Sequence, residues 1–203
     1  MTHVFIGLDG EMSGCDPGVH KLIQIGLALS ETQAVRFDIG WDNCVCDPEA
    51  LAVSGIPQEA IRAAPRAQDI DAKLVRWCED QGIVPASIIA IGWAVSTFDV
   101  PFVRAALPRF SSYLHHHCIE LNAVCYTMAG AVPYLGATVD RLKWKEMAIK
   151  IAEQRMNLMG IAPAWHDAGY DAAASLAAWH WLRAILRDGP PVADDNHALA
   201  EGS

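Results

Sequence analysis

No uninterrupted apolar run in these 203 residues approaches the length that crosses a bilayer, although 52% are hydrophobic and only 19% charged. A soluble chain with a sizeable core is expected, long enough for one domain or for a domain and a tail. A basic, apolar leader is missing as well: Met1-Thr2-His3 runs straight into a strand-like segment, and a cytoplasmic location is expected. The six cysteines lack a zinc pattern. They stand at 15, 44, 46, 78, 118 and 125, and Cys44-Val45-Cys46 has neither the two-residue spacer nor a second pair, so reduced, mostly packed thiols are expected. There is no internal repeat. There is no excess of positive charge either: the net charge is −9, the wrong sign for a protein that attracts phosphate by its bulk field.

The distribution of charge softens that objection. All 15 basic residues lie at or before Arg187, whereas Asp188, Asp194, Asp195 and Glu201 lie beyond it, which leaves a net of −5 on the body. Four of the body's acids are the candidate metal ligands described below. Without them only −1 remains, so attraction to phosphate would depend on bound metal.

What is present is organised around Gly7-Leu8-Asp9-Gly10-Glu11-Met12-Ser13-Gly14. Val4 to Leu8 has the apolar, β-rich look of a buried strand, and Asp9 and Glu11 come at its end. In an extended chain, residues two apart share a face, so the two carboxylates would stand side by side. Gly10 between them points the other way and lets another backbone approach. Adjacent carboxylates repel, and a partly buried pair stays ionised only with a cation between them. A divalent ion would satisfy both; so would water, if the acids merely end a strand at the surface.

The remainder reads as a meander followed by strands alternating with helices. Lys21–Leu29 and Ala34–Trp41 form a hairpin whose second strand alternates as an edge strand does. Asp47-Pro48 and Gly55-Ile56-Pro57 punctuate a loop, and Pro57 opens a short helix through Ile61. An amphipathic helix is expected over 67–81, with a glycine stop at Gly82. Ile88–Trp93 is a continuous apolar run, expected to be a central parallel strand. Thr97-Phe98-Asp99-Val100-Pro101 opens a helix through about Leu107. Asp99 there can be an N-cap, or it can face the end of the first strand. The run His115-His116-His117 could bind metal, but it has no acidic or Cys partner and is read as a polar approach to a fifth strand, His117–Leu121, which leads into a helix through Ala131.

Arg141–Met159 is a helix with Trp144, Met147, Ala148, Ile151 and Ala152 on its apolar face. Lys143, Lys145, Lys150 and Arg155 cover the rest, as a phosphate-contacting face or as an ordinary solvated one. Trp93, Trp144 and Trp165 are expected to pack rather than to stack bases. A last helix is expected from Ala168 to Arg187. Gly189-Pro190-Pro191 stops it, which divides the chain into a domain over 1–187 and an acidic, disordered tail over 188–203.

The third cluster of chemistry introduces that last helix. In Trp165-His166-Asp167-Ala168-Gly169-Tyr170-Asp171, Asp167 is placed to be the N-cap. Asp171 then lies in the first turn, in line with Ala174, Ser175, Ala178, Leu182 and Ile185. An acid on a core-facing row is costly unless compensated, and a metal ion would compensate it. His166 lies just before the helix, and imidazole suits proton transfer near neutrality.

Asp9-x-Glu11, the central Phe98-Asp99, and His166 with Asp171 five residues on resemble the motif set of DEDD 3'-5' exonucleases of the histidine branch, over roughly residues 4–185. Within that family, Leu8-Asp9-Gly10-Glu11-Met12-Ser13-Gly14 is most similar to the opening motif of oligoribonucleases. Val53-Ser54-Gly55-Ile56-Pro57 also resembles the turn before the family's first helix. The family's middle motif usually carries an Asn shortly before Phe-Asp, which Gly92–Thr97 lacks, and Glu120 stands where Asp is common and is assigned no catalytic role. The resemblance implies an α/β, ribonuclease H-like fold: a mixed five-stranded sheet, its second strand antiparallel, with helices on both faces. It also implies two Mg²⁺ or Mn²⁺ ions held by Asp9, Glu11, Asp99 and Asp171, with His166 as general base. The substrate implied is the 3' end of single-stranded nucleic acid, RNA or short oligonucleotides ahead of DNA, cut to nucleoside 5'-monophosphates. The same fold with a degraded site would instead be a binding module. Homodimeric relatives make a dimer plausible.

Overall fold

The computed structural model describes residues 3–129 and 139–189. Five strands form one sheet: β1 (Val4–Met12), β2 (Leu22–Ser30), β3 (Gln33–Asp38), β4 (Ile88–Gly92) and β5 (Leu114–Glu120), in the spatial order β3-β2-β1-β4-β5. β2 runs antiparallel to both of its neighbours, whereas β4 is parallel to β1 and β5 to β4. This is the mixed sheet expected of a ribonuclease H-like fold.

Strand alternation divides the core in two. Ile6, Leu8 and Met12 of β1 face helices α3 (Ala67–Asp80), α4 (Asp99–Ala106) and the four-residue α5 (Pro108–Ser111), meeting Ile70, Leu74, Val100 and Phe102 there. On the opposite face, Ala28 and Ile91 join α6 (Leu121–Met128), α7 (Arg141–Leu158) and α8 (Ala168–Asp188), where Trp144, Ala148, Leu176 and Leu182 are buried. Apart from α5, which was not expected, the sequence places these helices to within a few residues, although the end of the α6 reading, Gly130-Ala131, lies outside the described residues, as does the expected tail from residue 190.

Two small helices, α1 (Pro48–Ser54) and α2 (Gln58–Ala63), occupy the loop between β3 and α3. Only α2 was expected. The signals for α1 are nevertheless local: Asp47 caps it by accepting from Glu49 N–H, Pro48 opens it, and Gly55 closes it at φ 67°. Ser54 is its sole buried residue, so it has no apolar stripe for periodicity to detect. The histidine run also differs from expectation, for it lies within β5 rather than ahead of it. On α7, each of the four basic residues singled out in the sequence has an intramolecular partner. Lys143 and Lys150 pair with Glu146 at 3.1 and 3.0 Å, Arg155 pairs with Glu31 at 3.1 Å, and Lys145 lies 5.0 Å from the Trp93 ring centre.

The feature that positions the site is the close seating of α8. A Cβ on Gly7 would come within 2.0 Å of the Ala172 carbonyl oxygen, and one on Gly26 within 1.9 Å of that of Ala168. The missing side chains let the small-residue face of α8, with Ala168, Gly169, Ala172 and Ala173 buried, lie directly on β1 and β2. Gly26 pairs with Asp9 in the β1–β2 ladder, so the same contact delivers the first turn of α8 to the first acid. Gly26→Ala is expected to cost about 3 kcal/mol in urea unfolding, because the backbone beneath it cannot yield as a side chain would. A loss within a few tenths of a kcal/mol would show that α8 is free to shift.

Candidate active site

β1 continues past its apolar stretch through Asp9, Gly10 and Glu11, and a register shift falls between Glu11 and Met12. The two carboxylates share the α8 side of the sheet, as their spacing requires. Gly10 works differently from expectation. The atoms nearest an added Cβ belong to side chains, Leu22 Cδ1 at 2.8 Å, the Met12 methyl at 3.0 Å and Asp99 Oδ1 at 3.5 Å. Its N–H is the functional group, donating to Asp99 Oδ1 at 2.9 Å.

That bond decides between the two readings of Asp99. The residue is the first of α4, the cap position falls to Phe98, and no side chain caps the helix. Asp99 is 4% exposed, and its carboxylate turns instead to the end of β1. The segment leading to it bends at Ala94, whose carbonyl accepts from Thr97 N–H at 3.1 Å and Phe98 N–H at 2.9 Å. Ala94 has φ 60°, a conformation Asn adopts more readily than Ala, in the segment where the resembling family carries its Asn.

Asp167 caps α8, accepting from Gly169 and Tyr170 N–H at 3.0 and 3.1 Å. Asp171 therefore sits on the first turn, and its Oδ2 accepts from His166 N–H at 2.9 Å. Its Oδ1 is buried without a partner. His166 adopts φ 66°, a strained conformation for a side chain of its size, and such strain is concentrated at functional sites. Its Nδ1 lies 4.0 Å from Glu11 Oε1, and one ligand atom each from Glu11, His166 and Asp171 fall within 4.8 Å of one another. Asp9 lies in the field of Asp99, Asp171 and Glu11 together. All five residues singled out in the sequence thus meet at one place.

Three residues that support them were not foreseen. Gln24, buried in β2 opposite Glu11, donates from Nε2 to Asp38 Oδ1 at 2.7 Å and accepts Ala168 N–H at 2.8 Å, which ties the start of α8 to the sheet. It is the one polar side chain in the apolar run Leu22–Leu29, and that was a legible signal. Arg36 of β3 pairs with Asp167. Glu120, at the end of β5, accepts from Ser96 N–H and so braces the loop that carries Asp99.

Burial and mutual repulsion make the anionic forms unfavourable. Burial, and then Asp99, Asp171 and Glu11, raise Asp9 well above the carboxylate range. Burial carries Asp99 up to about 8 against the opposing Gly10 N–H bond, and it carries Glu11 to about 7 with help from Asp171 and Asp167. Asp171 is raised to about 6, chiefly by burial, with the His166 N–H bond opposing. A set of oxygen donors that resists ionisation, one of them orphaned and buried, fits hard divalent cations.

No protein-family model and no curated protein matches the sequence. Solved structures do match. This chain superposes on the zinc-bound form of an E. coli exonuclease I complex with single-stranded DNA at a TM-score of 0.60, with 18% identity, over 93% of its own length and 41% of that chain. It superposes on E. coli exonuclease I in complex with a dT13 oligonucleotide at 0.60, with 19% identity, over 92% and 42%. The fold is shared with exonuclease I. This chain spans about two fifths of the length of those exonuclease I chains, and at such identity the likeness is one of fold. Larger hollows exist, including one of about 520 Å³ bounded by Trp41, Arg66 and Pro108, away from the acids. The hollow beside them is about 300 Å³ and is lined by Glu11, Met12, Cys15, Asp47 and Phe98 among others.

The sign of the pH effect follows from these shifts. The folded chain holds protons on Asp9, Glu11, Asp99 and Asp171 that the unfolded chain releases near pH 4, so raising the pH favours unfolding until the folded groups have ionised. In chelator-treated protein, stability is expected to fall by at least about 3 kcal/mol from pH 5 to pH 8, and Mg²⁺ or Mn²⁺ to reverse the loss. Urea melts at several pH values would show it, and a flat profile without metal would mean the acids do not crowd one another.

Proposed function

We propose that the chain is a metal-dependent 3'-5' exonuclease that hydrolyses single-stranded nucleic acid to nucleoside 5'-monophosphates. The observation that carries this reading is the convergence of Asp9, Glu11, Asp99, Asp171 and His166 on the end of β1, with Asp171 Oδ1 buried and unpaired. Asp9, Glu11, Asp99 and Asp171 would hold two Mg²⁺ or Mn²⁺ ions, which supply activation of water and stabilisation of the leaving 3'-oxygen. His166 takes the proton from the attacking water. With Nδ1 turned toward Glu11, Nε2 is the nitrogen left for that transfer, and the N–H bond to Asp171 fixes the backbone behind the ring. Half of the His166 side chain is open to solvent, as access to a bound strand requires.

Two aromatic rings flank the acids and would receive the terminal bases. Phe98 lines the hollow beside Glu11. Trp165, expected to be packed, is instead 41% exposed, its ring edge-to-face with that of Tyr170 at 5.0 Å between centres, immediately before His166. The two substrates draw support from different observations. The opening motif Leu8 to Gly14, similar to that of oligoribonucleases, supports short RNA; the fold shared with a protein crystallised on DNA oligonucleotides supports DNA. With six free cysteines, the chain suits a reducing compartment such as the cytoplasm.

His166→Ala is expected to bind Mn²⁺ as the parent does while losing at least about 100-fold in turnover, whereas Asp9→Ala loses both. Turnover unchanged in His166→Ala would remove that residue from the chemistry. Matched RNA and DNA oligomers of two lengths, labelled at the 5' end and incubated with Mn²⁺, test the activity itself. A ladder shortening from the 3' end is the expected product on one or both, and binding without shortening would make the chain a binding module.

A further inference from the structure

His115, His116 and His117 are consecutive in a strand, and in a regular strand the middle ring would point away from the other two. β5 is not regular there. Ile88 pairs with Leu114 and Ala90 with Cys118, so the single residue Ile89 of β4 faces three residues of β5. His117 N–H donates to His115 Nδ1 at 3.1 Å and closes the bulge on itself. The rings are gathered as a result: centroids lie 4.1 Å apart for His115 and His116, 4.0 Å for His116 and His117, and 5.0 Å for His115 and His117. His3, ahead of β1, adds a fourth ring 4.8 Å from His115.

We propose that His115, His116 and His117, with His3 beside them, form a binding site for a borderline transition-metal dication such as Zn²⁺. One ring nitrogen from each of the three lies within 4.8 Å of the others. Metal–nitrogen bonds of about 2.0–2.1 Å need ligand nitrogens about 3.4 Å apart, which small ring rotations on an exposed edge strand supply. No carboxylate pairs with these rings among the described residues, so protonated they would repel one another, while neutral each offers a ring nitrogen within 4.8 Å of the other two. An all-imidazole donor set selects Zn²⁺, Cu²⁺ or Ni²⁺ over Mg²⁺. Binding at His115 Nδ1 exchanges its bond from His117 N–H for a metal bond and leaves that N–H to water at the sheet edge.

The site is separate from the carboxylates. His3 precedes β1 while Asp9 and Glu11 lie toward its far end, a span of about 20 Å at the usual strand rise. An ion there would clip the start of the chain to β5 across β4, and cover an edge that otherwise offers unpaired backbone.

The test is calorimetric titration of the untagged full chain with Zn²⁺, with excess Mg²⁺ present to occupy the carboxylate site. One Zn²⁺ is expected to bind with a Kd of about 10 µM or tighter, and His115→Gln/His117→Gln to weaken it about 100-fold while Asp9→Asn leaves it unchanged. His116→Gln alters only an exposed ring and repeats the test with the least burden on folding; it is expected to weaken binding about tenfold. Co²⁺ in place of Zn²⁺ should give visible absorption that the His variants lose. No Zn²⁺ binding tighter than about 100 µM, or binding equal in parent and His variants, would overturn the proposal.

Discussion

Four carboxylates held in one another's field cannot all be anions without a counter-charge, and the fold around them is arranged so that they cannot move apart. Asp9 and Glu11 are fixed by the pleat of β1, Asp99 by the Gly10 N–H, and Asp171 by the first turn of a helix pressed onto Gly7 and Gly26. Each constraint is modest alone. Together they replace water around the acids with protein, which is why burial is the leading cause of every upward shift at the site.

The support extends one layer outward, through polar groups that make no contact with the reacting position. Gln24 spans from Asp38 to the start of α8, Arg36 holds the capping Asp167, and Glu120 braces the loop before Asp99. The strained backbones of Ala94 and His166 lie in the two loops that deliver Asp99 and Asp171, so the local cost of the site is concentrated where its geometry is set. The likeness to exonuclease I extends over nine tenths of this chain at below one fifth identity, which is what a shared sheet with divergent surroundings would produce.

The fold and much of the candidate site were legible in the chain itself, because the rules that govern them are local. Period-two alternation puts Asp9 and Glu11 on one face, the apolar run Ile88–Trp93 marks a central strand, and Asp167 followed by an alanine-rich stretch marks the start of α8. The helix α1 escaped because its signals are caps without an apolar stripe, and periodicity detects only the stripe.

Tertiary structure decided what a local rule leaves open. At Asp99 the sequence permits capping or convergence with equal ease; an N–H 89 residues away makes the choice. On α7 the sequence leaves open what the basic residues meet within the chain; packing brings Glu31, Glu146 and Trp93 within reach of four of them. Regular alternation would have separated His115 and His117 from His116, and a bulge that depends on the register with β4 brings them together. Sequence determined which residue types stand at the ends of which elements, because steric and hydrogen-bonding preferences act over a few residues. Their partners were settled by packing, because burial and charge act between segments that only the folded chain makes neighbours.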